Sequence, residues 1–289
     1  VPVVSPPSYV LVTGADSGIG RATVSRLAHA GYSVLAACYS ETVIWDLAAE
    51  AHQRVQVLSL DVTSDESCQT LAEQVTQITA ARGLYGLVNN AGIALGGPQE
   101  VLDVEVWSRQ LDVNVLGTVR VTKQMLPVLR LASNSRIVNI SSICGLVSFP
   151  FVGPYCASKH AIEALTMALR GELRPFGIQV TTVAPGLVNT PLWNQIESEV
   201  TSQLTSYSDQ QRAWYADRMS RRLQRTVKMA RSGLAADAVA MTVLRAVKQP
   251  RLQARYLVGR DARLAYLADR LLPRHAWLQW LRHRCGLPV

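Results

Sequence analysis

Tyr155 and Lys159 stand four residues apart, and Ser142 lies a short segment upstream in Asn139-Ile140-Ser141-Ser142. On a helix, positions i and i+4 share a face, so this spacing sets an ammonium beside a phenol. A free phenol titrates near about 10 and is a poor acid or base at neutral pH. An adjacent cation favours the phenolate and draws that value down, which makes the pair a proton donor or acceptor for an alcohol or a carbonyl. Ser142 can hold the substrate oxygen, Lys159 can also bind a cofactor ribose hydroxyl, and Asn114 can support a water that relays protons to the lysine. Each of the four has an ordinary role open to it as well: a buried aromatic, a solvated lysine, a turn serine, a polar residue that distorts a helix.

A second set of residues points to a nucleotide. An apolar run at residues 9–12 leads into Thr13-Gly14-Ala15-Asp16-Ser17-Gly18-Ile19-Gly20, and a helical pattern follows from Arg21. Glycines let the backbone turn tightly and approach a pyrophosphate, and a helix N-terminus offers free N–H groups and the positive end of its dipole. Asp61, with Val62 after the third apolar run, can accept from an adenine amino group or simply cap the next helix. At the end of the second run, where an acid would take the ribose 2′-hydroxyl or an arginine a 2′-phosphate, the chain has Cys38, Tyr39 and Ser40. With no basic residue there and Asp16 adding negative charge, the expectation tilts to NAD over NADP, although Arg21 is within sequence reach of a 2′-phosphate.

Positioning these groups requires a scaffold. Short β-rich runs at residues 9–12, 33–37, 55–60, 84–88, 136–140 and 179–183 alternate with helical patterns, the signature of βαβ units around a buried parallel sheet. The reading is an α/β, doubly wound, Rossmann-type sheet in a single domain over residues 1–289. After Pro185-Gly186 the rhythm breaks into a helical stretch over 190–232, expected as a substrate lid following the sixth strand. A helix near 235–247, a last strand near 256–258 and a helical tail over 261–289 complete the chain.

The run Thr13 to Gly20, Asn89-Asn90-Ala91-Gly92, Asn114, Ser142, Tyr155-Cys156-Ala157-Ser158-Lys159 and Pro185-Gly186 with Thr190 together resemble the short-chain dehydrogenase/reductase superfamily. The motifs stand in the family's order and span most of the chain. The resemblance implies strand order 3-2-1-4-5-6-7, a nicotinamide cofactor and a catalytic tetrad of Asn114, Ser142, Tyr155 and Lys159. It implies that Asn89, Ala91 and Gly92 support the central strand and border the cofactor, and that Pro185, Gly186, Val188 and Thr190 approach the nicotinamide and its phosphate. It also implies a homodimer or homotetramer through helices around Val104 to Leu131 and Pro154 to Arg174. Within the superfamily the segments resemble the retinol, hydroxysteroid and 3-hydroxybutyrate dehydrogenase branch.

Substrate choice is expected in the lid, where Trp193, Ile196, Leu204, Tyr207, Trp214 and Tyr215, with Leu146, Val147, Phe149 and Phe151 from the loop before Tyr155, can line an apolar pocket or pack the lid on the body. Arg218, Arg221, Arg222, Arg225 and Lys228 recur at helical spacing, expected as a solvated face ahead of a carboxylate site. The tail, with Trp277, Trp280 and Arg282, is expected over the cleft or at a subunit interface ahead of a membrane surface. Five scattered cysteines with no CxxC pair suggest no disulfide framework and no metal site. No apolar run approaches the about 20 residues of a spanning helix, so a reducing, cytoplasmic location is expected. A net charge of +8 suits an anionic cofactor or acidic substrate; without a matching motif it does not imply nucleic acid. The function read from these residues is NAD(P)-dependent interconversion of an alcohol and a carbonyl on an apolar, medium-sized substrate of retinoid, steroid, aromatic or hydroxy-acid type. A catalytically silent cofactor-binding sensor, and an epimerase or dehydratase on the same cofactor, are the rivals.

Overall fold

The computed structural model describes residues 8–39 and 53–285. Ser40 and the tail's residues 286–289 therefore lie outside the described residues. The parallel sheet contains β1 (Tyr9–Thr13), β2 (Ser33–Cys38), β3 (Val55–Ser59), β4 (Gly86–Asn89), β5 (Arg136–Ile140), β6 (Gln179–Pro185) and β9 (Arg255–Val258), in the spatial order β3-β2-β1-β4-β5-β6-β9. This is the expected doubly wound arrangement. The last strand is the ninth in chain order because the two-residue strands β7 (Val188–Asn189) and β8 (Leu234–Ala235) pair separately. That short ladder joins the two stems of the lid insertion.

The strands read as near-continuous apolar runs because helices cover both faces. On one face α1 (Gly18–His29) and α8 (Ala236–Lys248) pack on each other and the sheet, burying Val24, Leu27, Val239 and Val243 with Val10 and Val12. On the other, α2 (Asp65–Thr79) and α4 (Gly117–Leu131) bury Leu71, Val75, Val121 and Met125 against Leu11 and Leu87. Order reverses between β1 and β4, which opens the crevice at the carboxyl ends of the strands where ligands of such sheets bind.

Three further elements build the walls of that crevice. The helix α3 (Val104–Leu111) runs into a π-helical turn at Asp112–Leu116 before α4 begins, and α5 (Gly153–Glu172) crosses behind the end of β5. The lid consists of α6 (Leu192–Ser206) and α7 (Asp209–Arg231); Ser208 starts α7 with a reciprocal capping box to Gln211. The tail helices α9 (Arg260–Leu271) and α10 (Arg274–Cys285) bury Ala262, Ala265, Trp277 and Leu281 against Ile143 and Val147. Among the described residues no helix is long and apolar enough to cross a membrane.

Candidate active site

The glycine loop ends β1 and opens α1. Thr13 Oγ1 accepts from Asn90 N and Ala91 N, each at 3.0 Å, while Asn90 Nδ2 donates to Thr13 O and Gly14 O at 3.0 and 2.9 Å. The loop is thereby tied to the strand beside it. Gly18 has φ +51°, in the region that favours glycine, and a Cβ there would stand 3.2 Å from Thr190 Cβ. Gly20 is required by space: a Cβ would fall 2.0 Å from Gly14 O. This tight turn at a helix N-terminus fits a dinucleotide pyrophosphate.

A cavity of about 1170 Å³ runs from this loop to the lid and tail. That volume exceeds the roughly 300–1,000 Å³ of a drug-sized ligand pocket. Its wall takes in Gly14, Asp16, Ser17, Gly18 and Ile19, then Tyr39, Asp61, Val62, Ala91 and Gly92. On the far side it includes Pro185, Gly186, Val188 and Thr190, and between the two lie Ser142, Tyr155 and Lys159. Four expected residues stand outside that wall. Gly20 is buried within α1; Asn89 Nδ2 instead donates to Thr122 Oγ1 and Asn139 Oδ1, tying β4 to its neighbours. Cys38, expected at the cofactor, is fully buried in the core with its Sγ toward Ala36 O at 3.8 Å, so only the exposed Tyr39 beside it reaches the cavity. Burial first, and the charge of Asp16 second, push the Cys38 thiol up to about 12.

Asn114 is the fourth. It lies in the π-helical turn, an irregularity frequent at functional sites, and its amide joins one backbone to one side chain. Oδ1 accepts from Ile93 N at 2.9 Å, and Nδ2 donates to Ile93 O at 3.0 Å and Ser158 Oγ at 3.1 Å. Its side chain thus braces the residue next to Lys159. Asp61 is bonded locally too, with Oδ1 accepting from Thr63 N and Oγ1 at 2.8 and 2.6 Å.

The helix α5 puts Tyr155 and Lys159 on one face, with the lysine Nζ 5.8 Å from the phenol ring centre. Lys159 is buried and donates to Ile140 O at 2.8 Å, which fixes it at the end of β5. Ser142 is buried at the same strand end, its Oγ accepting from Cys144 N at 3.1 Å. The charges differ from the sequence expectation. Burial first, and the neighbouring Cys144 second, push the Tyr155 phenol above its usual value, while a hydrogen bond with Ser142 pulls it back. Burial likewise lowers the Lys159 ammonium to about 8, opposed by Cys144 and Glu163. Desolvation dominates because both groups are buried in one enclosure, which disfavours either charged form. What the three groups can do is hold an oxygen and pass a proton to or from it.

The lid and tail wall the end of the cavity away from the glycine loop. Trp193, Ile196, Phe149 and Phe151 line the cavity, while Leu204, Tyr207 and Tyr215 pack the lid on the body and Trp214 is exposed. Leu146 and Val147 pack under the tail helices instead. Trp280, stacked on Trp277 at 4.8 Å, brings the tail to the cavity wall, so the tail does lie over the cleft. Arg109 pairs with Glu199 at 3.1 Å and Tyr215 Oη donates to Glu100 Oε1 at 2.7 Å, two clasps between lid and body. Sequence reasoning left out Asn90 as a loop anchor and Asp261, whose Oδ2 accepts from Leu187 N at 2.8 Å and holds the turn after β6. The pairing of Asn90 with the strand-end threonine was open to inspection in the motif. The Asp261 contact had no local signal.

The short chain dehydrogenase family model matches residues 8–201. Retinol dehydrogenase 16 of Mus musculus is 37% identical over 279 residues, which cover 92% of this chain and 84% of that protein. The 17-beta-hydroxysteroid dehydrogenase type 6 of Homo sapiens is 42% identical over 191 residues, covering 66% of this chain and 60% of that one. A short chain dehydrogenase/reductase from Burkholderia phymatum, solved in complex with NAD, superposes with a TM-score of 0.76 at 29% identity and covers 95% of each chain. The chain belongs to the short-chain dehydrogenase/reductase superfamily, in the branch of retinol and hydroxysteroid dehydrogenases, and is an NAD(P)-dependent oxidoreductase.

Proposed function

We propose that the protein interconverts an alcohol and a carbonyl on an apolar, medium-sized substrate, with Tyr155 as the acid and base. The observation that carries this is the continuity of one cavity, which joins the glycine loop, the Ser142–Tyr155–Lys159 group and an apolar lid. A nicotinamide dinucleotide, when bound, supplies the hydride acceptor or donor. The loop from Gly14 to Ile19, with Asp61, Ala91, Gly92 and Thr190, would hold it. Ser142 Oγ steadies the substrate oxygen, Tyr155 Oη gives or takes its proton, and the Lys159 charge offsets the phenolate as it forms. Asn114 positions Lys159 through Ser158. The names of the relatives, with the aromatic and aliphatic lid, favour a retinoid or steroid-like body.

NAD is the preferred dinucleotide in this proposal. The charge of Asp16 reaches the end of β2, where a 2′-phosphate would add like charge. A homo-oligomer is also proposed, through exposed Leu116 and Val119 around the start of α4 and Met167 on α5. The test of the chemistry is Tyr155→Phe. Turnover should fall by about 10²- to 10⁴-fold, the usual contribution of general acid–base catalysis, with NADH binding unchanged by fluorescence titration. Turnover like that of the wild type would refute the assignment.

A further inference from the structure

Five basic residues recur along α7, and the structure separates one from the rest. Arg218, Arg221, Arg225 and Lys228 are exposed, whereas Arg222 is partly buried and lines the cavity. It shares the cavity-facing stripe with Met219, Leu223, Thr226 and Met229, a wall otherwise apolar except for one hydroxyl. Among the described residues Arg222 makes no ion pair or hydrogen bond, whereas its neighbour Arg221 pairs with Asp217. A guanidinium that faces a cavity without a protein acceptor can meet one on a bound ligand.

The other charges of the cavity do not supply that acceptor. Arg109 is occupied by Glu199, Asp112 by Arg120, Asp261 by Leu187 N, and Asp61 by Thr63. Asp16 belongs to the glycine loop at the opposite end. Arg222 nevertheless lines the same cavity as Ser142 and Tyr155. Its charge reaches the thiols of Cys144, which donates its backbone N–H to Ser142, and of Cys156, the residue after Tyr155.

We propose that Arg222 is a specificity-determining residue that binds a carboxylate on the substrate while Tyr155 and Ser142 engage the carbinol or carbonyl. The substrate class is an apolar oxo acid or hydroxy acid. This rests on the oxidoreductase reading above and narrows it. Arg is suited to the role because its planar fork meets a carboxylate through two parallel N–H bonds.

The test compares a long-chain ω-oxo acid with its methyl ester as NADH-dependent substrates, and decanoate with methyl decanoate by calorimetry on the NAD-loaded enzyme. Wild type should favour the acid in KM and in affinity by about tenfold to hundredfold, the span of a charge-assisted hydrogen bond. Arg222→Met should abolish that preference by weakening the acid toward the level of the ester, and Arg222→Lys should restore part of it. Absence of an acid preference in wild type, its persistence in Arg222→Met, or an equal loss for acid and ester would overturn the proposal. The two readings fail separately. An enzyme with no hydride transfer to any carbonyl defeats the general reading, whereas calorimetry decides the Arg222 assignment without turnover.

Discussion

Replacing Lys159 with Met should inactivate the protein and stabilise it. Lys159 is 6% exposed, and burial lowers its pKa from 10.5 to about 8, against the opposing charges of Cys144 and Glu163. At about 1.4 kcal/mol per pH unit, charged Lys159 is about 3 kcal/mol less favourable in the fold than in the unfolded chain. Methionine fills similar volume without charge but gives up the bond from Nζ to Ile140 O, a net contribution of about 1 kcal/mol. The variant should therefore be more stable by about 2 kcal/mol near neutral pH. The sign with pH follows from the folded value lying below the unfolded one. Below about 8 both states hold the proton and the penalty is complete; between about 8 and 10.5 the unfolded chain alone keeps it, so wild-type stability rises with pH. Above 10.5 the penalty is gone. Urea unfolding of both proteins without dinucleotide, across that window, measures the gap directly. Other titrating groups are common to both proteins, so the difference reports Lys159. A variant less stable than wild type near neutral pH, or a gap that stays constant through the window, would refute the reasoning.

Three other outcomes follow from the same geometry. Gly20→Ala places a Cβ 2.0 Å from Gly14 O, so NADH affinity in a fluorescence titration should fall about tenfold or more, with circular dichroism unchanged; unaltered affinity would contradict the cradle. Glu163→Gln should cost about 3 kcal/mol in urea unfolding, because it leaves the Arg255 guanidinium without the carboxylate it meets at 2.7 Å. The double variant Glu163→Leu with Arg255→Met should recover at least half of that, and no recovery would assign the loss to packing. With Tyr155 held above its usual value, alcohol oxidation should accelerate with pH between about 7 and 9 while carbonyl reduction stays nearly flat; an oxidation rate flat over that interval would show that the phenolate is preformed.

Much of this was legible in the sequence because it is local. The parallel strands are buried on both faces and so read as apolar runs, and the glycine loop must sit where a strand turns into a helix. Tyr155 and Lys159 share a face at a spacing any helix preserves. What escaped depends on how distant segments meet. Cys38 and Tyr39 are adjacent, yet the last residue of a strand points into the core while the next leaves it, and only the completed sheet decides which side holds the cavity. Asp261 reaches Leu187 across 74 positions. Arg222 was one of five similar cations, and nothing along α7 fixes its rotation against the body. The expected lowering of Tyr155 failed for a related reason: pairing is visible as spacing, whereas the burial that opposes it belongs to the whole enclosure.

The burial that pushes Tyr155 up also brings Lys159 down, so both groups are driven toward their neutral forms by one cause. A phenolate formed during reaction needs a charged lysine beside it, which means the lysine must be defended against the enclosure that makes it useful. The sequence does this at helical spacing. Glu163 lies one further turn along α5, and its Oε2 accepts from Arg255 Nη2 and Nε at 2.7 and 2.8 Å and from Thr182 Oγ1 at 3.2 Å. Tyr155 and Lys159 are thus the outer half of a longer series running inward from the cavity: phenol, ammonium, carboxylate, guanidinium. Remove the carboxylate and the opposition to burial at Lys159 weakens, so the ammonium becomes easier to neutralise and loses the charge that would meet the phenolate. Glu163 belongs to the stability of the fold and to the charge state of the site at once, and no substitution there can change one without the other.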